Sequence, residues 1–91
     1  MKHLLVCYDI PDDRRRSAVA KILGSYGDRV QYSVFLCVVS RAGEVRLRGA
    51  VGCAVAGDVD SVMYADLGSG PSRITWEGVR REVFDERSLI F

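Results

Sequence analysis

Residues 3–10 (His3-Leu4-Leu5-Val6-Cys7-Tyr8-Asp9-Ile10) are apolar on both alternations, as expected of a central strand covered on both faces. Pro11 ends the run. Asp12 or Asp13 can then cap a helix whose apolar positions Ala18, Val19, Ile22, Leu23 and Tyr26 recur at helical spacing, with Gly27 as its C-terminal stop. From Arg29 to Ser40 β-branched and aromatic residues favour extended structure, and one long strand or a short hairpin turning near Tyr32-Ser33 both fit. Ser40 offers an N-cap to a second helix through about Ala56, with Val45, Leu47, Val51, Ala54 and Val55 as its inner stripe. Gly49 and Gly52 weaken that helix by roughly 1 kcal/mol each. Residues 58–67 read as another strand and Gly68-Ser69-Gly70-Pro71-Ser72 as a turn. Ile74-Thr75-Trp76 and Ser88-Leu89-Ile90-Phe91 read as further short extended pieces.

This order predicts an α+β chain: a βαββαβ split unit, an antiparallel sheet with both helices on one face, in a single domain over residues 1–91. The sheet's second face then needs an explanation. Residues 4–10 and 34–39 are apolar on both parities, but the chain supplies no third layer of helices, so a second copy packed sheet to sheet is expected to cover it. A chain of 91 residues buries only about 60 to 65% of the surface its unfolded form exposes, so self-association would also supplement a thin core.

Composition narrows the class. Hydrophobic residues at 48% exclude disorder, and the apolar runs 34–39 and 50–56 fall far short of the roughly 20 residues of a membrane helix. Met1-Lys2-His3-Leu4-Leu5-Val6 reads directly as a strand rather than a signal peptide, and the cytoplasm is the expected compartment. Cys7, Cys37 and Cys53 lack C-x-x-C spacing and lie in apolar segments, which predicts buried free thiols. The formal charge is only +1, yet 11 of the 13 basic residues are arginine, the side chain suited to bidentate phosphate contacts and to partly buried ion pairs.

The candidate chemistry concentrates in the first 35 residues. Asp9 places a carboxylate at a strand end, where it can hold a hard cation such as magnesium; one Asp does not complete such a site, but a two-fold axis would bring a second. A strand-ending Asp that caps the Asp12 region through a turn fits the same position. Arg14, Arg15 and Arg16 lie in a first helical turn, where cations oppose the helix dipole by a few tenths to about 1 kcal/mol each, so helix stability does not explain them. Phosphate binding explains them, with Arg29 continuing the basic edge. So does a solvated face with an Asp12 to Arg16 pair at i, i+4. Of the three, Arg14 and Arg16 are assigned with Arg29 to nucleic-acid backbone. His3 is the sole histidine, which disfavours Ser-His-Asp, Cys-His and histidine-based nuclease mechanisms. There is no G-x-x-x-x-G-K-[ST] or G-x-G-x-x-G motif, and no RNA-recognition aromatic motif.

Tyr8-Asp9-Ile10, the Asp12-Asp13-Arg14-Arg15-Arg16 helix start and Tyr26-Gly27-Asp28-Arg29-Val30-Gln31-Tyr32-Ser33-Val34-Phe35 together resemble the Cas-two family of small CRISPR-associated adaptation proteins. Asp60-Ser61-Val62-Met63-Tyr64 more loosely resembles that family's later strand. Leu36 departs from it, standing where the family usually has Glu, and the second helix carries less charge than usual.

The resemblance implies a ferredoxin-like homodimer in which Asp9 of each chain binds magnesium or a similar divalent cation at the interface. Residues Leu89-Ile90-Phe91 would add an extra C-terminal strand to the neighbouring subunit. It further implies a metal-dependent endonuclease acting on RNA or duplex DNA, and a subunit that joins the CRISPR integrase in acquiring spacers by bridging two integrase dimers along a duplex. Three functions follow: the nuclease, a non-catalytic DNA-bridging scaffold for the integrase, and a toxin-type ribonuclease of the same fold. Neighbouring genes would separate the last from the others.

Overall fold

A computed structural model describes residues 1–69. Its elements run β1 (Lys2–Asp9), α1 (Asp13–Gly24), β2 (Gly27–Gln31), β3 (Val34–Val39), α2 (Arg41–Ala54) and β4 (Ser61–Asp66). The four strands form one antiparallel sheet in the order β2-β3-β1-β4, the ferredoxin-like arrangement expected. The extended pieces expected at 74–76 and 88–91, the C-terminal strand among them, lie outside the described residues.

Strand alternation sorts β1 between two environments. Leu4, Val6, Tyr8 and Ile10 join Phe35, Cys37 and Val39 of β3 in a core closed by Val19 and Leu23 of α1 and by Leu47 and Val51 of α2. The opposite parity points away from the helices, and there Leu36 and Val30 form a second buried cluster flanked by Leu5, Val34 and Leu67. That face also carries Cys7 and, directly across from it on β4, Met63, which is 59% exposed. Both parities of β1 and β3 are therefore apolar in space as well as in sequence.

Local chemistry sets the boundaries. Asp12 is the N-cap of α1, its carboxylate accepting from the Arg15 N–H at 2.9 Å, and Ser40 does the same for α2 through the Gly43 N–H at 3.0 Å. The hairpin, not the long strand, is realised at 32–33: Ser33 adopts φ +67, and a register shift between Arg29 and Gln31 marks a bulge. Gly27 is not the helix stop. The helix closes at Gly24, with the Ser25 N–H donating to the Ile22 carbonyl, and Gly27 opens β2. A Cβ at Gly27 would stand 2.6 Å from the Cys37 Cα and overlap the Leu36 carbonyl, so close strand approach is what requires glycine.

Four further expectations are corrected. Val45 is 68% exposed, because Leu47, Val51 and Ala54 define the inward stripe and Val45 lies across the helix from it. Ala18 is likewise outward, beside the buried Val19. Strand β4 begins at Ser61 rather than Asp58, since the Val59 and Asp60 N–H groups turn back to the Ala56 carbonyl at 3.1 and 2.8 Å. Of the three free thiols, Cys37 is buried and Cys7 half-buried, but Cys53 is exposed on α2. Burial, with a smaller contribution from the Asp28 charge, pushes the Cys37 thiol up to about 12, which leaves it protonated and inert at neutral pH.

Candidate nucleic-acid interface and strand-end carboxylate

One end of the sheet collects the candidate residues. β1 finishes there at Asp9, and the β2–β3 hairpin turns beside it, with the Tyr8 N–H donating to the Ser33 carbonyl at 3.0 Å. The short link Ile10-Pro11-Asp12 then carries the chain from Asp9 to the start of α1 at Asp13. β4 enters at the same end, with Ser61 directly opposite Asp9.

Asp9 is exposed and takes part in no ion pair among the described residues. It does not cap α1, which Asp12 does itself. A free strand-end carboxylate beside the Ser61 position suits a magnesium ion that keeps most of its waters, although no group of three His, Cys, Asp or Glu residues gathers anywhere among the described residues. The donor set fits a cation shared between two copies of the chain, with one carboxylate from each, better than a site closed within one.

The three arginines assigned to phosphate part company. Arg16 and Arg29 line a single cleft of about 240 Å³ together with Tyr8, Ser17, Ala20 and Tyr32. Arg16 is held at the rim by donating from Nη1 to the Ile10 carbonyl at 2.9 Å and by pairing with Asp13. Arg29 lies over the Phe35 ring, 5.2 Å from its centroid, and Phe35 stacks on Tyr8 at 6.3 Å. Two guanidinium groups with planar donor edges and an exposed Tyr32 ring at the mouth can take a phosphate and the sugar or base attached to it. Arg14 is exposed on the first turn of α1, outside this cleft. The Asp12 to Arg16 pair is replaced by Arg16 with Asp13 and by Arg15 reaching Asp12 at 4.0 Å.

The sequence does not reveal the role of Arg15. Its Nε and Nη2 donate to the two oxygens of Asp60 at 2.7 and 3.1 Å, a fork across 45 residues of chain. The hydrogen bonds from Arg15, reinforced by the Ala56 N–H, hold the Asp60 carboxyl below the usual carboxylate range against the opposing effect of burial. In the sequence Asp60 is an acid inside the stretch read as a strand, with nothing that points to Arg15. Tyr8 and Tyr32 stand beside no arginine in the sequence, and only the fold brings them to Arg16 and Arg29. His3, at the far end of β1, is buried with neither ring nitrogen hydrogen-bonded, which keeps it away from the candidate chemistry.

No described helix is long and apolar enough to cross a membrane. Comparison with known proteins then identifies the lineage. The family described as CRISPR associated protein Cas2 matches residues 1–73. A Rhodospirillum rubrum protein named CRISPR-associated endoribonuclease Cas2 4 is 44% identical over 62 residues, covering 68% of this chain and 50% of that protein, so the match spans half of the relative's length. A Thermus thermophilus protein named CRISPR-associated endoribonuclease Cas2 is 36% identical over 83 residues, covering 87% of this chain and 88% of its own. The crystal structure of Streptococcus pyogenes Cas2 at pH 6.5 superposes with a TM-score of 0.76 at 32% identity, over 84% of this chain and 99% of that one. With the family match over residues 1–73, the 36% identical relative and the shared ferredoxin-like sheet in agreement, the chain belongs to the Cas2 family of CRISPR-associated proteins.

Proposed function

We propose that this protein is a CRISPR adaptation protein that works as a homodimer, cleaves RNA or DNA phosphodiesters with magnesium, and serves as a subunit of the spacer-integration complex. What supports the reading is the gathering, at one sheet end, of a carboxylate unpaired among the described residues and a two-arginine cleft. The relatives from R. rubrum and T. thermophilus are named endoribonucleases, which favours cleavage as part of the activity.

In this reading Asp9 from each copy holds the cation, while Arg16 and Arg29, on the helix side of the same strand end, grip backbone phosphates other than the one cleaved, with Arg14 adding an outer backbone contact. A magnesium ion bound there supplies water activation and neutralises charge on the scissile phosphate. The arginines act without sequence preference, because they address phosphate and not base edges. The apolar second face of the sheet, with Met63 exposed on it, supplies the surface on which two copies meet.

A second reading is a DNA-bridging scaffold for the integrase without catalysis. The single candidate cation ligand that Asp9 supplies among the described residues, and a sole histidine buried at the other end of β1, favour it. The Asp9→Asn variant separates the two: it keeps the size of the side chain but removes the charge. Magnesium-dependent cleavage should fall strongly while folding, dimerisation and duplex binding persist. Cleavage as fast as in the wild type would leave the scaffold reading.

A further inference from the structure

Arg14, Arg15 and Arg16 look interchangeable in the sequence, yet their guanidinium groups meet different surroundings. Arg14 is exposed, and Arg16 lines the cleft. Arg15 is turned toward the start of β4, where the side chain of Asp60 is fully shielded from solvent. Both oxygens of that carboxylate are occupied: Oδ2 accepts from Arg15 Nε at 2.7 Å and from the Ala56 N–H at 2.8 Å, and Oδ1 from Arg15 Nη2 at 3.1 Å. A shielded carboxylate with a bidentate partner is a rigid joint, unlike a surface ion pair whose long side chains remain free to move.

The joint closes a loop around Asp9. From Asp9 the chain runs through Ile10 and Pro11 to the Asp12 cap, which holds the Arg15 N–H; the Arg15 side chain crosses to Asp60; and Asp60 leads directly into Ser61, the residue paired with Asp9. On its other side Asp9 has little support, since the β1–β3 register ends at Cys7 with Val34. As the last residue of a strand, Asp9 would be free to fray without this closure.

We propose that Arg15 and Asp60 are positioning residues for the Asp9 carboxylate, fixing the strand end so that its oxygens meet a divalent cation in one orientation. This rests on the reading that Asp9 holds the cation. Arg15 accordingly makes no contact with nucleic acid, although it lies between two arginines that do.

Manganese bound to the full-length protein, followed by electron paramagnetic resonance, tests this apart from cleavage, with duplex affinity and melting temperature measured on the same samples. Asp60→Asn keeps the shape of the joint and an oxygen for the Ala56 N–H but removes the charge that orients Arg15. Its manganese affinity should fall about 10–100-fold at temperatures where it is fully folded, the range seen when a ligand loses its outer support, while duplex affinity is unchanged. Arg15→Lys retains the charge without the fork and should lose several-fold, which gives a second measurement if Asp60→Asn does not fold. Wild-type manganese affinity in either folded variant, with Asp9→Asn having lost it, overturns the positioning role and leaves Asp9 as the ligand. Manganese binding that survives Asp9→Asn unchanged overturns both.

Discussion

The Arg48 guanidinium lies over the Tyr64 ring, 4.1 Å from its centroid, and is held there by donating from Nε to Glu44 Oε2 at 2.9 Å. Glu44 in turn pairs with Lys2 at 2.7 Å, and Lys2 with Asp66 at 2.9 Å, so this group of charges ties α2 to both β1 and β4. Arg48 is thus an internal fastener and not a phosphate ligand. Arg48→Ala should cost about 0.5–1 kcal/mol, read as a fall of roughly 2–8 °C in melting temperature, and should leave the salt dependence of duplex binding unchanged.

Arg16 and Arg29 behave oppositely. Replacing both by alanine removes the cationic side of the cleft, so affinity for unrelated sequences should fall alike, and the slope of log affinity against log salt should flatten by about 1 per arginine. Adding Arg14→Ala should flatten it further. Filter binding over a salt series measures both quantities.

The Asp60 carboxyl lies below its ordinary range when folded, so it stabilises the fold above about pH 4, the unfolded value, and that contribution is lost as pH falls through the lower folded value. Glu44 follows the same sign, its carboxyl being lowered first by the Lys2 hydrogen bond and then by Arg48. Melting curves from pH 7 to pH 2 should show the gap between wild type and Asp60→Asn closing as the acid range is entered. A gap constant with pH would show that the ion pair adds nothing beyond shape.

Gly27→Ala should destabilise the protein by about 1–3 kcal/mol, because the added methyl meets the backbone of β3, which cannot retreat without opening the sheet. Urea unfolding gives the value from the shift in midpoint. Gly49→Ala on the open side of α2, where an added Cβ meets nothing within 4 Å, should instead stabilise by roughly 1 kcal/mol.

A homodimer should scatter light at about twice the 10.1 kDa of one chain at micromolar concentration. Met63→Asp sets a charge on the apolar face opposite the helices and should shift the population toward monomer without unfolding it. A monomer throughout that range in the wild type removes the shared cation site.

Elements governed by neighbours in sequence are legible before folding. Asp12 and Ser40 cap where their side chains imply, and Val19, Leu23, Leu47 and Val51 face inward as their spacing requires. The hairpin stays undecided in the sequence because its left-handed residue is Ser33, which carries none of the glycine or asparagine signal of a tight turn. Val45 misleads because an apolar residue on a helix says nothing by itself about which stripe is buried. In the site, Asp9, Arg16 and Arg29 are legible as residue types near a strand end. The Arg15 to Asp60 fork is not, because it joins positions 45 residues apart and only the folded chain distinguishes Arg15 from its neighbours.

Tyr8 and Asp9 are consecutive in one strand, so the tyrosine faces the arginine cleft and the aspartate faces the other way. In the proposed function, grip on nucleic acid and hold on a cation thereby fall to opposite sides of a single sheet, with no side chain common to both. A lineage carrying this arrangement can lose one property by a single substitution and keep the other without refolding. On that proposal, a version of this chain that cuts and a version that only binds are neighbours in sequence space, one codon apart at position 9.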